Sequence, residues 1–341
     1  MNHGGEAAAP TAFTSIHEEI IKSHILNKLD GKSLASTSCV STEFKSLSNG
    51  EILWKTICSN HFPSSLNPLV QTNMTNHRLF FSDVSSAVHH LPLTPPSQRP
   101  KIKNLVSAVD IFYEDEVVFS RVINTESCSS WFSCSPFKID ILEAKEVFPT
   151  NVKITGDDQM CMAALEKGMK LSWIMIDGDS KKALNVSSLC PVAVRRNWLG
   201  GEIQIRYAMV VPDSRYCDDG EALVQCGVVV SYREGEEMQV KELSLIVEDS
   251  EGLILDGNEG LAIVQEVING ERGVKNSDEE RERYEKFINY KSDLTEMKLD
   301  MFVVFTGVSL FLSLCMVLLK KFVKISSSIY EKYGWPVEDP G

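Results

Sequence analysis

The chain has 341 residues, 43% of them apolar and 24% charged, an ordinary globular composition at a length that fits two domains. It carries 34 basic against 47 acidic groups, a formal net charge of -13, and no Lys/Arg block interrupts that balance. The sign opposes phosphate binding, so nucleic acid is excluded as an expected partner.

Nine cysteines are scattered singly, with no Cys-x-x-Cys and no Cys/His spacing of the zinc type. They read as free thiols of a reducing compartment. The nearest pair, Cys128 and Cys134, forms a disulfide only if the fold brings it together. Residues 1–14 are polar and Ala-rich and read as a disordered N-terminus. They lack a basic segment followed by an apolar one, so no signal peptide is expected and the chain is expected to begin in the cytosol.

Ser15 and Glu18 have the Ser-x-x-Glu spacing of a capping box. A helix is predicted from there to about Leu29, with Ile20, Ile21, Ile25, Leu26 and Leu29 on a broad apolar face. Asp30-Gly31 breaks it. A second helix carries Leu34 and ends near Ser38. A third carries Phe44 and Leu47 and stops at Asn49-Gly50. A fourth segment contains Ile52, Leu53, Trp54 and Ile57. Residues 15–60 thus form a unit too small to be stable by core burial alone, which points to docking on a partner.

Residues 61–103 are expected as a helical and proline-rich linker. His77 to Val88 looks helical, with Leu79, Phe80, Phe81 and Val84 as candidates for packing on the first unit, and Leu91 to Pro100 holds four prolines in ten residues. From 104 to 270 the pattern changes to β-type runs: 105–113, 117–123, 169–177, 192–196, 202–211, 223–233 and 238–247. Ile203, Ile205, Tyr207 and Met209 alternate with Glu202, Gln204 and Arg206. Strands without long intervening helices predict an antiparallel, sandwich-like domain rather than a parallel sheet. Leu261 to Ile268 reads as a helix.

Residues 271–300 are dense in charges of both signs, with Tyr284, Phe287, Ile288, Leu294 and Met297 among them, as suits a helical stalk or a solvated surface helix. Met301 to Leu319 is nineteen residues without a charge. As a helix it spans roughly 28 Å, close to a bilayer's hydrocarbon core. Lys320, Lys321 and Lys324 follow, placed to reach an interface. A transmembrane helix at 301–319 with a short tail at 320–341 is the expected arrangement. With no leader, it is that of a single-pass tail anchor whose bulk faces the cytosol. The overall class is α+β.

The N-terminal segment resembles an F-box. The matching features are Ile16, Glu18-Glu19-Ile20-Ile21, Ile25-Leu26, Leu29, Asp30-x-x-x-Leu34, Cys39-Val40-Ser41, Phe44 and the terminal Ile52-Leu53-Trp54-Lys55. The match covers about 43 of 341 residues. One departure is the opening, Ile16-His17 where Leu-Pro is usual, which alters the first adaptor contact. Further on, the runs 171–177, 185–189, 191–194 and 197–202 look like a plant group of F-box proteins with a β-rich C-terminal region and often an apolar C-terminal segment.

The resemblance implies a non-catalytic substrate receptor of an SCF-type cullin-RING ubiquitin ligase. The F-box would dock a Skp-type adaptor, and through it the cullin and RING subunits. The β-rich domain would hold a protein target. Ile16, Ile20, Ile21, Ile25, Leu26, Leu29, Leu34 and Trp54 would divide between internal packing and the adaptor, in a way periodicity does not settle.

Chemistry of other kinds finds little support. The seven histidines stand at 3, 17, 24, 61, 77, 89 and 90, so the β-rich region contains none and a Ser-His-Asp or Cys-His site within it is excluded. Gly31-Lys32-Ser33 lacks the upstream glycine loop of a phosphate-binding motif. Asp157/Asp158, Asp177/Asp179 and Asp218/Asp219 are explained by turn chemistry more simply than by a metal. No cofactor or metal is expected. Trp131, Trp173 and Trp198 are candidates for target contact, although a lone Trp in a sandwich is more often core. The competing reading is a membrane-anchored lectin-like or protein-binding module whose F-box-like segment is only structural.

Overall fold

Residues 17–90, 102–153, 158–197, 201–213, 215, 222–233, 237–273 and 277–334 are described by a computed structural model of the protein. Ser15 and Ile16, the proline run 91–100 and Trp198 lie outside the described residues. Two units are present, residues 1–287 and 288–341.

The chain opens with short helical segments whose starts are written in local polar side chains. His17 caps α1 (Glu18–Ile20), its ring accepting from the Glu19 amide. A π-helical turn (Ile21–Ile25) and a 3-10 turn (Leu26–Lys28) follow, in place of the single helix expected to Leu29. Asp30 caps α2 (Gly31–Thr37), accepting from the Ser33 amide at 2.8 Å. Ser41 caps α3 (Thr42–Ser48) through the Phe44 amide. Then come α4 (Glu51–His61), a 3-10 turn (Pro63–Leu66), α5 (Pro68–Thr72) and α6 (His77–Ser85). Proline sits in the first turn of both the 3-10 turn and α5, where its missing N–H is not needed.

The strands follow in order: β1 (Ala87–His90), β2 (Asn104–Tyr113) and β3 (Glu116–Glu126). A short helix α7 (Ser130–Cys134) precedes β4 (Lys138–Asp140) and β5 (Phe148–Pro149). Helix α8 (Asp158–Gly168) leads into β6 (Met169–Asp177), β7 (Ala183–Asn185), β8 (Ala193–Arg196) and β9 (Ile203–Pro212). Strands β10 (Leu223–Arg233) and β11 (Gln239–Asp249) are followed by α9 (Gly257–Asn269), β12 (Glu271–Gly273) and the long helix α10 (Ser277–Lys332).

Among the described residues the two larger sheets have the orders β3-β2-β6-β7 and β4-β11-β10-β9-β8, with β5 also on β11, and β1 pairs with β12 in a separate two-stranded sheet. Their pairings are antiparallel. The β2–β3 hairpin turns on Glu114 and Asp115, both with positive φ (48° and 68°), the two-residue geometry that matches strand twist. The sheets enclose one apolar core, with Leu105, Val109, Leu171, Trp173 and Met175 on one side and Ile205, Val228, Val230, Leu243 and Leu245 on the other. The α+β reading, a helical N-terminus followed by an antiparallel β-rich part and a long C-terminal helix, is what the structure shows.

The outer face of β2 and β6 is also covered. Val106, Ala108, Ile174 and Ile176 belong to the same apolar cluster as Leu26, Leu34, Trp54, Phe80 and Phe81 of the helical segments. Residues 61–90, expected as part of a linker, supply much of that contact. Burial on both faces explains why β2 and β6 read as nearly continuous apolar runs. Two polar ties fix the register. Asp110 of β2, fully buried, accepts from the Ser64 amide (3.0 Å), the Ser64 hydroxyl (2.6 Å) and the Ser120 hydroxyl (2.6 Å). Asp83 of α6 accepts from the Ala183 amide at 3.1 Å.

Burial pushes the Asp110 carboxyl above its ordinary value, against the three hydrogen bonds that lower it. The charged form is therefore disfavoured on folding. The associated stabilisation is complete below the ordinary value of 3.8 and is lost as pH rises through the raised one. Asp110→Asn keeps the shape and removes the titration. In urea unfolding, the stability of the unsubstituted protein relative to Asp110→Asn should increase as pH falls from neutral toward 3.8. Asp110→Ala strands the buried Ser64 donors and should cost about 3 kcal/mol.

Candidate adaptor-docking face

The π-helical turn decides which side chains of the first segment face inward. In an α-helix, residues five apart lie about 140° from each other. The i→i+5 hydrogen bond from the Leu26 amide to the Ile21 carbonyl brings such residues onto nearly one side. Ile21 and Leu26 are both buried, at 2% and 1% exposure, while Ile20 and Ile25 both face out, at 49% and 40%. The broad five-residue apolar face expected from the sequence is thus two faces, with Leu29 half-buried between them.

Leu34 on α2 is fully buried. Gly31, one turn earlier, has no space for a side chain, because a Cβ there would stand 2.3 Å from the Phe81 ring. Trp54 on α4 is buried as well. Its indole N–H donates to the Ser48 carbonyl at 2.8 Å, its ring meets Phe81 at 5.6 Å, and the Arg78 guanidinium lies 5.9 Å above it. Arg78 also donates to the Asn49 and Ser38 side chains, and Glu51 binds His77, so α6 is fastened across α2, α3 and α4. The terminal Leu-Trp is therefore a packing device.

Among the eight candidate adaptor residues, Ile21, Leu26, Leu34 and Trp54 are core, Leu29 is intermediate, Ile20 and Ile25 are exposed, and Ile16 lies outside the described residues. Two exposed apolar side chains matched the F-box pattern without being counted among the adaptor candidates: Val40, 71% exposed, and Ile52, 82% exposed. The signal was an apolar residue at a helix margin, which periodicity alone assigns to neither side. Ile20, Ile25, Val40 and Ile52 are the large apolar side chains that the described part of the segment leaves exposed.

The three tryptophans of the β-rich region part company. Trp173 is fully buried and donates to the Ser107 hydroxyl at 3.3 Å, so it holds the core and makes no surface contact. Trp131 stands on α7, 82% exposed. Among the described residues no group of His, Cys, Asp or Glu side chains is arranged to hold a metal ion. Cys128 and Cys134 are free and exposed. Burial pushes the Cys58 and Cys226 thiols up to about 12, which leaves them unreactive.

The fold is thus a small helical unit seated on an antiparallel β-rich body. The F-box domain family matches residues 19–56. The chain is 37% identical over 295 residues to the probable F-box protein At2g36090 of Arabidopsis thaliana, covering 86% of this chain and 87% of that one. It is also 37% identical over 302 residues to the F-box protein At3g44326, and 35% identical over 302 residues to the F-box protein At2g27310, both of Arabidopsis thaliana. These cover 84% of this chain each, and 82% and 88% of the relatives. The chain belongs to the F-box protein family. No solved structure matches it. F-box proteins are generally non-catalytic substrate adaptors, and membership supports an SCF substrate-receptor role in general.

The division into core and leftover residues is measurable. Val40→Ser and Ile52→Ser should leave unfolding stability within about 0.5 kcal/mol of the parent. Leu34→Ala should cost about 3 kcal/mol in the same urea titration.

Proposed function

We propose that this chain is the substrate-recognition subunit of an SCF-type cullin-RING ubiquitin ligase. It docks a Skp-type adaptor through Ile20, Ile25, Val40 and Ile52 and performs no bond chemistry itself. The observation that carries this reading is the exposure of four large apolar side chains on the F-box segment while its other apolar residues are packed. Apolar residues left out of a core that had room for their neighbours are candidates for a partner's surface.

The β-rich body would hold a protein target, with Trp131 a candidate contact. An exposed indole offers a large, rigid surface at small entropic cost. Tethering target and conjugating enzyme on one assembly makes transfer nearly intramolecular. Helix α10 is long and apolar enough to cross a membrane. We read it as a single-pass tail anchor at 301–319, with the F-box and β-rich body facing the cytosol, where the ubiquitin machinery works.

Binding of the full-length protein, in mild detergent, to a purified Skp-type adaptor tests the docking face. Ile20→Asp, Ile25→Asp and Ile52→Asp should each weaken binding tenfold or more without lowering the urea midpoint. Leu26→Asp is not an informative variant, because it buries a charge in the core. Undetectable binding of the parent at micromolar concentration, or variants that bind as well as the parent, would sink the proposal.

A further inference from the structure

Helix α10 carries a second pattern outside the charge-free run. After Phe287, every third or fourth residue in strict heptad alternation is apolar. In the charged stretch before 301 these are Tyr290, Leu294 and Met297, and after the lysines at 320 and 321 they are Phe322, Ile325 and Ile329. With Leu294 as an a position, Met301, Val308, Cys315, Phe322 and Ile329 are also a, and Tyr290, Met297, Val304, Phe311, Leu318 and Ile325 are d. The central positions fall in the apolar run and prove nothing by themselves. The two flanks do, because they share one register across the intervening span. Off the seam, the flanks at 288–300 and 320–329 hold only Ile288, Leu299 and Val323.

The flanking seam residues are exposed apart from Leu294, which is half-buried. A 3.5-residue repeat drifts by about 20° per heptad on a straight α-helix, and so by about 100° over this length. A single helix lying on a flat surface would use a 3.6-residue repeat. A strict heptad seam stays in contact only with another helix that winds around it to the left.

We propose that α10 pairs through this seam with α10 of a second copy of the chain, as a parallel coiled coil continuous from the stalk through the span. Two copies inserted in one membrane by the same route have the same orientation, which fixes the pairing as parallel. The charges beside the seam suit that arrangement. In a parallel pair, Asp293 at g faces Lys298 at e of the following heptad on the other copy, an opposite-charge contact made twice by symmetry. The contact one heptad earlier would bring Lys286 toward Lys291, but Lys286 is already bound to Glu282 on its own helix at 2.9 Å. The product would be a receptor with two F-boxes and two target-binding bodies. The parallel orientation and the central half of the seam rest on the reading of 301–319 as a membrane span; the two flanks of the seam do not.

Two differently tagged full-length copies, co-expressed and solubilised in mild detergent, test the pairing by capture through one tag and quantification of the other. Leu294→Glu with Met297→Glu places two charges on the seam and should reduce co-capture at least tenfold. Ser292→Glu with Leu299→Glu adds the same charges at f positions on the opposite side and should leave it unchanged. Co-capture that survives the seam substitutions, that is lost equally with the f-position pair, or that is absent for the unsubstituted chain overturns the pairing. Washing the membranes with alkaline carbonate before extraction separates the two readings. A chain that stays in the membrane but fails to co-capture overturns the pairing and leaves the span standing. A chain that washes off yet pairs through the seam supports the coiled coil and overturns the span.

Discussion

The structure of residues 1–287 depends on the outer face of the sheet β3-β2-β6-β7. The F-box segment is too small to bury its own apolar residues, and that face helps to close its core. Val106, Ala108, Ile174 and Ile176 close it from below, while Phe80 and Phe81 of α6 close it from the side. A buried carboxylate at the middle of the contact is costly unless its hydrogen bonds are made. Asp110 makes them only when Ser64 sits directly over β2. Apolar burial thus drives the contact and the Asp110 clasp fixes its register. The helical segment and the β-rich body are thereby held in a set position relative to each other.

Much of this fold was legible in the residues. Strands 169–177 and 223–233 fall where alternation and turn signals place them, and the other long strands start or end within a few residues of the reading. The helices carrying Leu34 and Phe44 are present as read, while α9, read from Leu261, begins four residues earlier at Gly257, where Asp256 caps it. What escaped was short or context-dependent. Strands β4 and β5 are three and two residues long and exist only because β11 is there to pair with them. Helix α8 has no helical stripe to announce it, because its apolar residues run continuously from Met160 to Leu165 and its burial is confined to Cys161 and Leu165. The β2–β3 turn uses Glu114-Asp115, where Asn-Gly would have announced it.

The docking face was legible as a segment and illegible as a surface. Position in the F-box pattern says nothing about which of Ile20 and Ile21 faces inward. A π-helical turn settles that, and no propensity announces it. Trp54 and Trp173 illustrate the opposite error, in which a large aromatic residue in a prominent motif invites a functional role. Each is buried with its indole N–H satisfied, by Ser48 and Ser107 respectively, which is the signature of a packing residue. Exposed Val40 and Ile52, which the resemblance carries only as pattern positions, are better placed to meet a partner than either.

The central claim is that the F-box segment and the β-rich body fold as one cooperative unit. Native-state hydrogen exchange on the full-length protein tests it most directly. Amides within Gly31–Thr37 and Glu51–His61 should open with the same free energy as those within Met169–Asp177, and Asp110→Ala should lower all three sets together. Helical amides that exchange through a separate, lower-energy opening, unmoved by Asp110→Ala, would contradict the account.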